Sequence, residues 1–109
     1  MGYYILEGHE PKHVSDTLVW AKWMETGDRR VKLERVGNYE ISTVFLGLDH
    51  SFHRFTHDSD VRPILFETMV FEYSGADRSS VTMERCATWA EAEEQHDAIV
   101  RRYRVVVSG

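Results

Sequence analysis

Three of the chain's six histidines fall with two aspartates into a ten-residue stretch, Asp49 to Asp58, as His50, His53 and His57. Imidazole and carboxylate together are the donor set that zinc, manganese or iron prefers. The spacing matches no known zinc signature, and a loop offers no helical register to align His53 with His57. A solvated polar loop carrying scattered histidines is the plain alternative. Glu67 is more informative. On a strand it shares a face with Leu65, Met69 and Phe71, while Phe66, Thr68 and Val70 share the other. A carboxylate inside an apolar row costs several kcal/mol unless a partner answers it. A histidine, an arginine, the Trp20 or Trp23 indole or a metal would serve. If the opposite face forms the core, Glu67 is simply exposed. His96 lies one helical turn after Ala92 and one before Ile99 and Val100, on an apolar stripe. A histidine there is either a satisfied core residue or the sheet carboxylate's partner across the helix–sheet interface.

Those residues need elements to position them. Residues 3–6 form an opening strand ended by Gly8 and Pro11. Ser15 or Asp16 caps a helix that runs to Thr26 and stops at Gly27. On it Val19 and Trp23, and likewise Trp20 and Met24, stand one turn apart as a face suited to a sheet. Four strands follow, over 30–36, 39–48, 64–73 and 80–87, with Gly37-Asn38 as a two-residue hairpin turn. Thr88 and Glu91 make a capping box for a final helix burying Trp89, Ala92, Ile99, Val100 and Tyr103. The expected fold class is α+β, in the order β-α-β-β-β-β-α. It has an antiparallel sheet of four to five strands and two helices packed on one face. The long link over 49–62 is where loop-borne function concentrates.

With 109 residues there is room for one domain, 1–109, and one core. The formal charge of −5 argues against a phosphate-backbone partner, because the basic clusters at Arg29-Arg30 and Arg101-Arg102 are interleaved with acids or sit at a helix end. Nucleic-acid binding is not expected. The single cysteine, Cys86, allows no internal disulfide and suits a reducing compartment. In a strand it reads as an inert thiol. No apolar run reaches the ~20 residues a bilayer requires, and the start resembles no signal peptide, so a cytoplasmic location and no membrane partner are expected. Phosphate-loop, CxxC, GxSxG and HExxH patterns do not occur.

The segments WAKWMET at 20–26, TVFLGLDHSF at 43–52, LFETMVF at 65–71 and TWAEA at 88–92 resemble a family of small uncharacterised proteins. These are encoded by bacteriophages, prophages and some bacteria. The likeness spans most of the chain, from Tyr3-Tyr4 to His96. It implies a bacterial host cytoplasm as the setting. The family's Asp-His pair, Phe-Glu-Thr-Met segment and helix histidine map onto Asp49, His50, Glu67, Thr68 and His96. His53 and His57 depart from the family, whose loop is shorter, and Glu72-Tyr73 stands where it tends toward Gly-Gly.

Three functional expectations follow. The foremost is a non-enzymatic interaction protein that binds a host or phage protein and carries no cofactor. The second is a small metal-dependent or acid–base enzyme. It would use Asp49, His50, Glu67 and His96 as catalytic groups or as ligands of a divalent metal, with His53 and His57 as weaker ligand candidates. The third is a structural homo-oligomer in which the apolar faces of the third main strand, or the Val105-Val106-Val107 tail, are covered by a second copy.

Overall fold

The computed structural model describes residues 2–50 and 62–109. A hairpin opens the chain: β1 (Tyr3–Glu7) pairs antiparallel with β2 (Glu10–Val14). Helix α1 (Thr17–Thr26) follows, and then β3 (Arg30–Val36), β4 (Tyr39–Phe45), β5 (Phe66–Ser74) and β6 (Asp77–Cys86) form a meander in that spatial order. Helix α2 (Trp89–Ser108) closes the described chain. The α+β class and the antiparallel four-stranded sheet are as read from the sequence. The opening strand is also present, at Tyr3–Glu7, but outside the large sheet. It belongs to a separate two-stranded sheet, whose second strand the sequence reading passed over at Pro11. Proline is tolerated there because β2 pairs on one side only, so its missing N–H need not serve a second neighbour.

Local chemistry explains the element ends. The Asp16 carboxylate accepts from the Leu18 N–H at 2.9 Å to start α1. At α2 the Thr88 hydroxyl accepts from the Glu91 N–H and the Glu91 carboxylate accepts from the Thr88 N–H, both at 3.1 Å. Gly37 turns β3 into β4 at φ 58°, a left-handed conformation that residues with a β-carbon resist.

The core lies between α2 and one face of the large sheet. Val36, Ile41, Phe45, Phe66 and Val70 of the strands are buried beneath Ala92, Ile99 and Val100 of α2. Helix α1 joins from the same side. Its Trp23 ring meets Phe45 edge-on, with centroids 5.7 Å apart. Val19 does not share this contact: it is about half exposed, and Trp20, Trp23 and Met24 make the inward face instead.

Gly47 locks the hairpin and α1 onto the sheet. Its carbonyl accepts from the Tyr4 N–H at 2.8 Å and from the Trp20 indole N–H at 3.0 Å. Its φ is +78°, and a β-carbon would stand 2.6 Å from the Met24 sulfur. Gly47→Ala therefore combines left-handed strain with a clash. Urea unfolding is expected to show about 2 kcal/mol of lost stability. A loss under about 0.5 kcal/mol would mean that Met24 gives way and the loop relaxes.

Candidate functional site

The most developed polar arrangement is a hydrogen-bonded chain inside the helix–sheet interface. His96, Thr43 and Thr68 are all fully buried. The Thr43 hydroxyl lies 2.7 Å from His96 Nδ1 and 2.7 Å from the Thr68 hydroxyl. Thr68 lies 3.2 Å from Gln95 Oε1. On its other side, His96 Nε2 is 3.0 Å from the Glu34 carboxylate. Glu34 and Thr43 reach this interface because residues 32, 34 and 36 of β3 and 41, 43 and 45 of β4 alternate onto the helix-covered face. Glu34 also lies 3.7 Å from the Arg104 guanidinium, and Lys32 pairs with Asp97 at 2.8 Å beside it.

Partner chemistry fixes the tautomer. A carboxylate only accepts, so His96 Nε2 carries the proton toward Glu34, and Nδ1 accepts from Thr43. Thr43 then accepts from Thr68, whose single proton is left to serve both Thr43 and Gln95. A doubly protonated ring would satisfy all four contacts in one direction, but burial opposes that charge. Burial wins: His96 titrates below an ordinary histidine, and Glu34 pulls only partly the other way.

The order Thr43–His96–Glu34 places a hydroxyl, an imidazole and a carboxylate as a hydrolytic triad would. Neither Thr43 nor His96 has any exposed surface, however, so no substrate can meet the hydroxyl. The chain acts as a polar rivet between helix and sheet.

The sequence-proposed set is not brought together. Glu67 points away from α2, on the opposite face of β5 from Thr68, and bonds the Arg85 guanidinium at 2.9 Å. It therefore does not meet His96. The arginine answer is the one realised, and the sheet's other face is the core. Asp49 lies in the turn after β4. Its carboxylate accepts from the Ile64 N–H at 2.9 Å and its own N–H donates to the Gly2 carbonyl. The His50 N–H donates to the Ile64 carbonyl at 2.9 Å. These bonds hold the start of β5 against the end of β4. His53 and His57 lie outside the described residues. Among the described residues, no three His, Cys, Asp or Glu side chains are grouped to hold a metal.

A groove of about 580 Å³ runs beside the start of α2, lined in part by Arg62, Arg85, Cys86 and Glu91. Both of its arginines are already engaged. Arg62 pairs with Glu91 at 3.0 Å and Arg85 with Glu67. The Cys86 thiol is pushed up to about 11 by burial and by the nearby Glu91 carboxylate, so it stays protonated and unreactive at neutral pH.

The face of the large sheet opposite α2, which no other described element covers, is the other candidate, and sequence reasoning touched it only through the apolar look of the third main strand. The strand pairing sets Leu33, Ser42, Met69 and Met83 side by side across the four strands. Val44 and Phe71 extend this row along β4 and β5. Leu33 and Met83 are each 48% exposed, with Val81 at 45% in the β6 bulge. A solvated sheet face normally alternates polar side chains outward; this one is apolar at its centre. Charge is confined to its ends. Glu67–Arg85 closes one end, and Arg78, lying over the Phe71 ring and 3.3 Å from Glu40, closes the other. The signal was present in the sequence as Leu33, Met69 and Met83 in alternating positions, but only pairing brings them into one row.

Comparison with known protein families, curated proteins and solved structures finds no match to this chain. Among the described residues, no helix is long and apolar enough to cross a membrane.

Proposed function

We propose that this chain is a non-enzymatic interaction protein, working in the bacterial cytoplasm, that docks through the uncovered face of the β3-β4-β5-β6 sheet. The observation that carries this reading is the apolar row Leu33–Met69–Met83 across the sheet face opposite α2, with Leu33 and Met83 each about half exposed. Exposed apolar patches on otherwise polar domains mark association surfaces. Met and aromatic side chains are adaptable contact groups at such surfaces. The partner's chemistry is that of a protein surface, belonging to the host, to a phage, or to the chain itself.

Cross-linking in cells tests the reading with Leu33→Asp and Met83→Asp combined. Both positions are half-exposed on edge strands, so the double variant is expected to fold, with its melting temperature within about 5 °C of wild type. It should lose the cross-linked species that the wild-type chain forms. Equal cross-linking by both proteins overturns the reading.

A further inference from the structure

We infer that the occupant of the uncovered sheet face is an acidic amphipathic helix of a partner protein. Its apolar side lies on the Leu33–Met69–Met83 row, and its carboxylates reach Arg30 and Arg35. This rests on the reading that the face is a docking surface. Charge, backbone chemistry and width together select that occupant.

Strand pairing puts Arg30, Arg35, Arg78 and Arg85 on this face against Glu40 and Glu67, a balance of two positive charges. The whole chain carries −5, so the face is a basic island on an acidic protein. Glu67–Arg85 and Glu40–Arg78 answer each other within it. Arg30 and Arg35 are exposed and enter no ion pair among the described residues. Arg35 lies over the Tyr73 ring at 4.5 Å, a contact that uses none of its N–H donors. Both surplus cations thus stand on one edge strand, β3, on either side of Leu33. Carboxylates are the groups that edge can receive.

The four strands spend their N–H and C=O groups on one another, so a partner lying on the face meets side chains alone. An extended segment laid there would bury its own backbone polar groups unpaired. A helix closes those bonds internally. The width agrees: four strands spaced ~4.8 Å set Leu33 and Met83 ~14 Å apart, room for one helix of ~10 Å and not for two. Arg30 and Arg35 face Val44 and Glu40 of β4, ~13 Å apart. Carboxylates about seven residues apart on one helix margin, separated by ~10.5 Å, come within reach of both guanidinium groups. Helix α2 already covers the opposite face of the sheet.

Single-stranded nucleic acid is the other anionic ligand that sheet faces bind, but it stacks its bases on open aromatic rings. Here Arg78 lies over Phe71 at 3.6 Å and Arg35 over Tyr73, and the central row is aliphatic and thioether. The face is built for an apolar, acidic protein segment.

Fluorescence anisotropy on the full chain with two synthetic helical peptides tests this. One carries a leucine–methionine face with glutamates along its margins, and its twin has lysines in their place. The glutamate peptide is expected to bind about tenfold more tightly or better at low ionic strength, and to lose that advantage in high salt. Arg30→Glu with Arg35→Glu should reverse the preference. Arg30→Gln with Arg35→Gln, which should erase it, serves if the first variant fails to fold. A wild type that prefers the lysine peptide, as the net charge of the whole chain would dictate, overturns the inference. So does binding of neither peptide, or tighter binding of a single-stranded oligonucleotide than of the glutamate peptide. In cells, a cross-linked species of twice the 12.7 kDa chain mass identifies a second copy and refutes the partner helix. Cross-links that survive Arg30→Glu with Arg35→Glu but vanish in Leu33→Asp with Met83→Asp leave the docking reading standing and refute only the acidic occupant.

Discussion

His96→Ala is expected to cost about 3 kcal/mol and to lower the melting temperature by roughly 15 °C, the largest effect of any polar substitution among the described residues. The imidazole is fully buried and bridges three elements, so its removal opens a cavity and leaves the Thr43 hydroxyl without its acceptor. Glu34 loses its Nε2–H donor and keeps only the longer Arg104 contact. His96→Gln keeps some volume and a donor and should cost less. Both are read by urea unfolding. A loss below about 1 kcal/mol for His96→Ala would mean that the network is dispensable and the aliphatic contacts alone hold α2.

The same residue sets a pH signature. His96 titrates lower folded than unfolded, because burial disfavours its charge more than Glu34 favours it. The unfolded chain therefore binds the proton first. Its contribution to stability is fully present above the unfolded value near 6.5 and is lost as pH falls toward the lower folded value, with a slope of up to about 1.4 kcal/mol per pH unit. Lys32 adds to the lowering, while Asp97 and the Glu34 charge oppose it. Unfolding measured from pH 8 to pH 5 should show this slope in wild type and a flatter profile in His96→Gln, where the other histidines still titrate. Equal slopes would remove His96 as the cause.

Phe45→Ala is expected to cost about 3–5 kcal/mol. Phe45 is fully buried at the end of β4, where it meets Phe66 at 5.4 Å between centroids and the Trp23 ring edge-on. It is thus the contact through which α1 leans on the main core, since no residue of α1 is itself buried. The loss should come with a red-shifted tryptophan emission as Trp23 gains water. A full stability loss with unchanged emission would place α1's anchoring at Gly47 and Trp20 rather than at this ring.

The candidate site shows where a single sequence stops being readable. Alternation along β5 correctly split Glu67, Met69 and Phe71 from Phe66, Thr68 and Val70. Two apolar rows on one strand gave no sign of which faced the helix. The answer depends on α2's stripe meeting Phe66 and Val70, a contact between segments about 30 residues apart. Once that face is inward, Glu67 goes to Arg85 on the neighbouring strand, and His96 finds Thr43 and Glu34, neither of them on β5. Glu34 escaped notice because, in a strand of alternating charge, it looks like any solvated acid.

Local signals determined the local structure. Thr88 with Glu91, Asp16 before an apolar turn, and Gly37-Asn38 between two β-branched runs each fixed an element end within a few residues, because caps and tight turns are closed by neighbours in sequence. The stripe Ala92, His96, Ile99 and Val100 likewise marked α2's buried side from its 3.6-residue period. What the tertiary structure alone decided was partnership: the separate hairpin of β1 and β2, the choice of inner sheet face, the polar chain from Glu34 to Gln95, and the apolar row from Leu33 to Met83. Each of these joins residues from different elements, and free energies of burial and hydrogen bonding depend on who meets whom in space, which no single segment's pattern encodes.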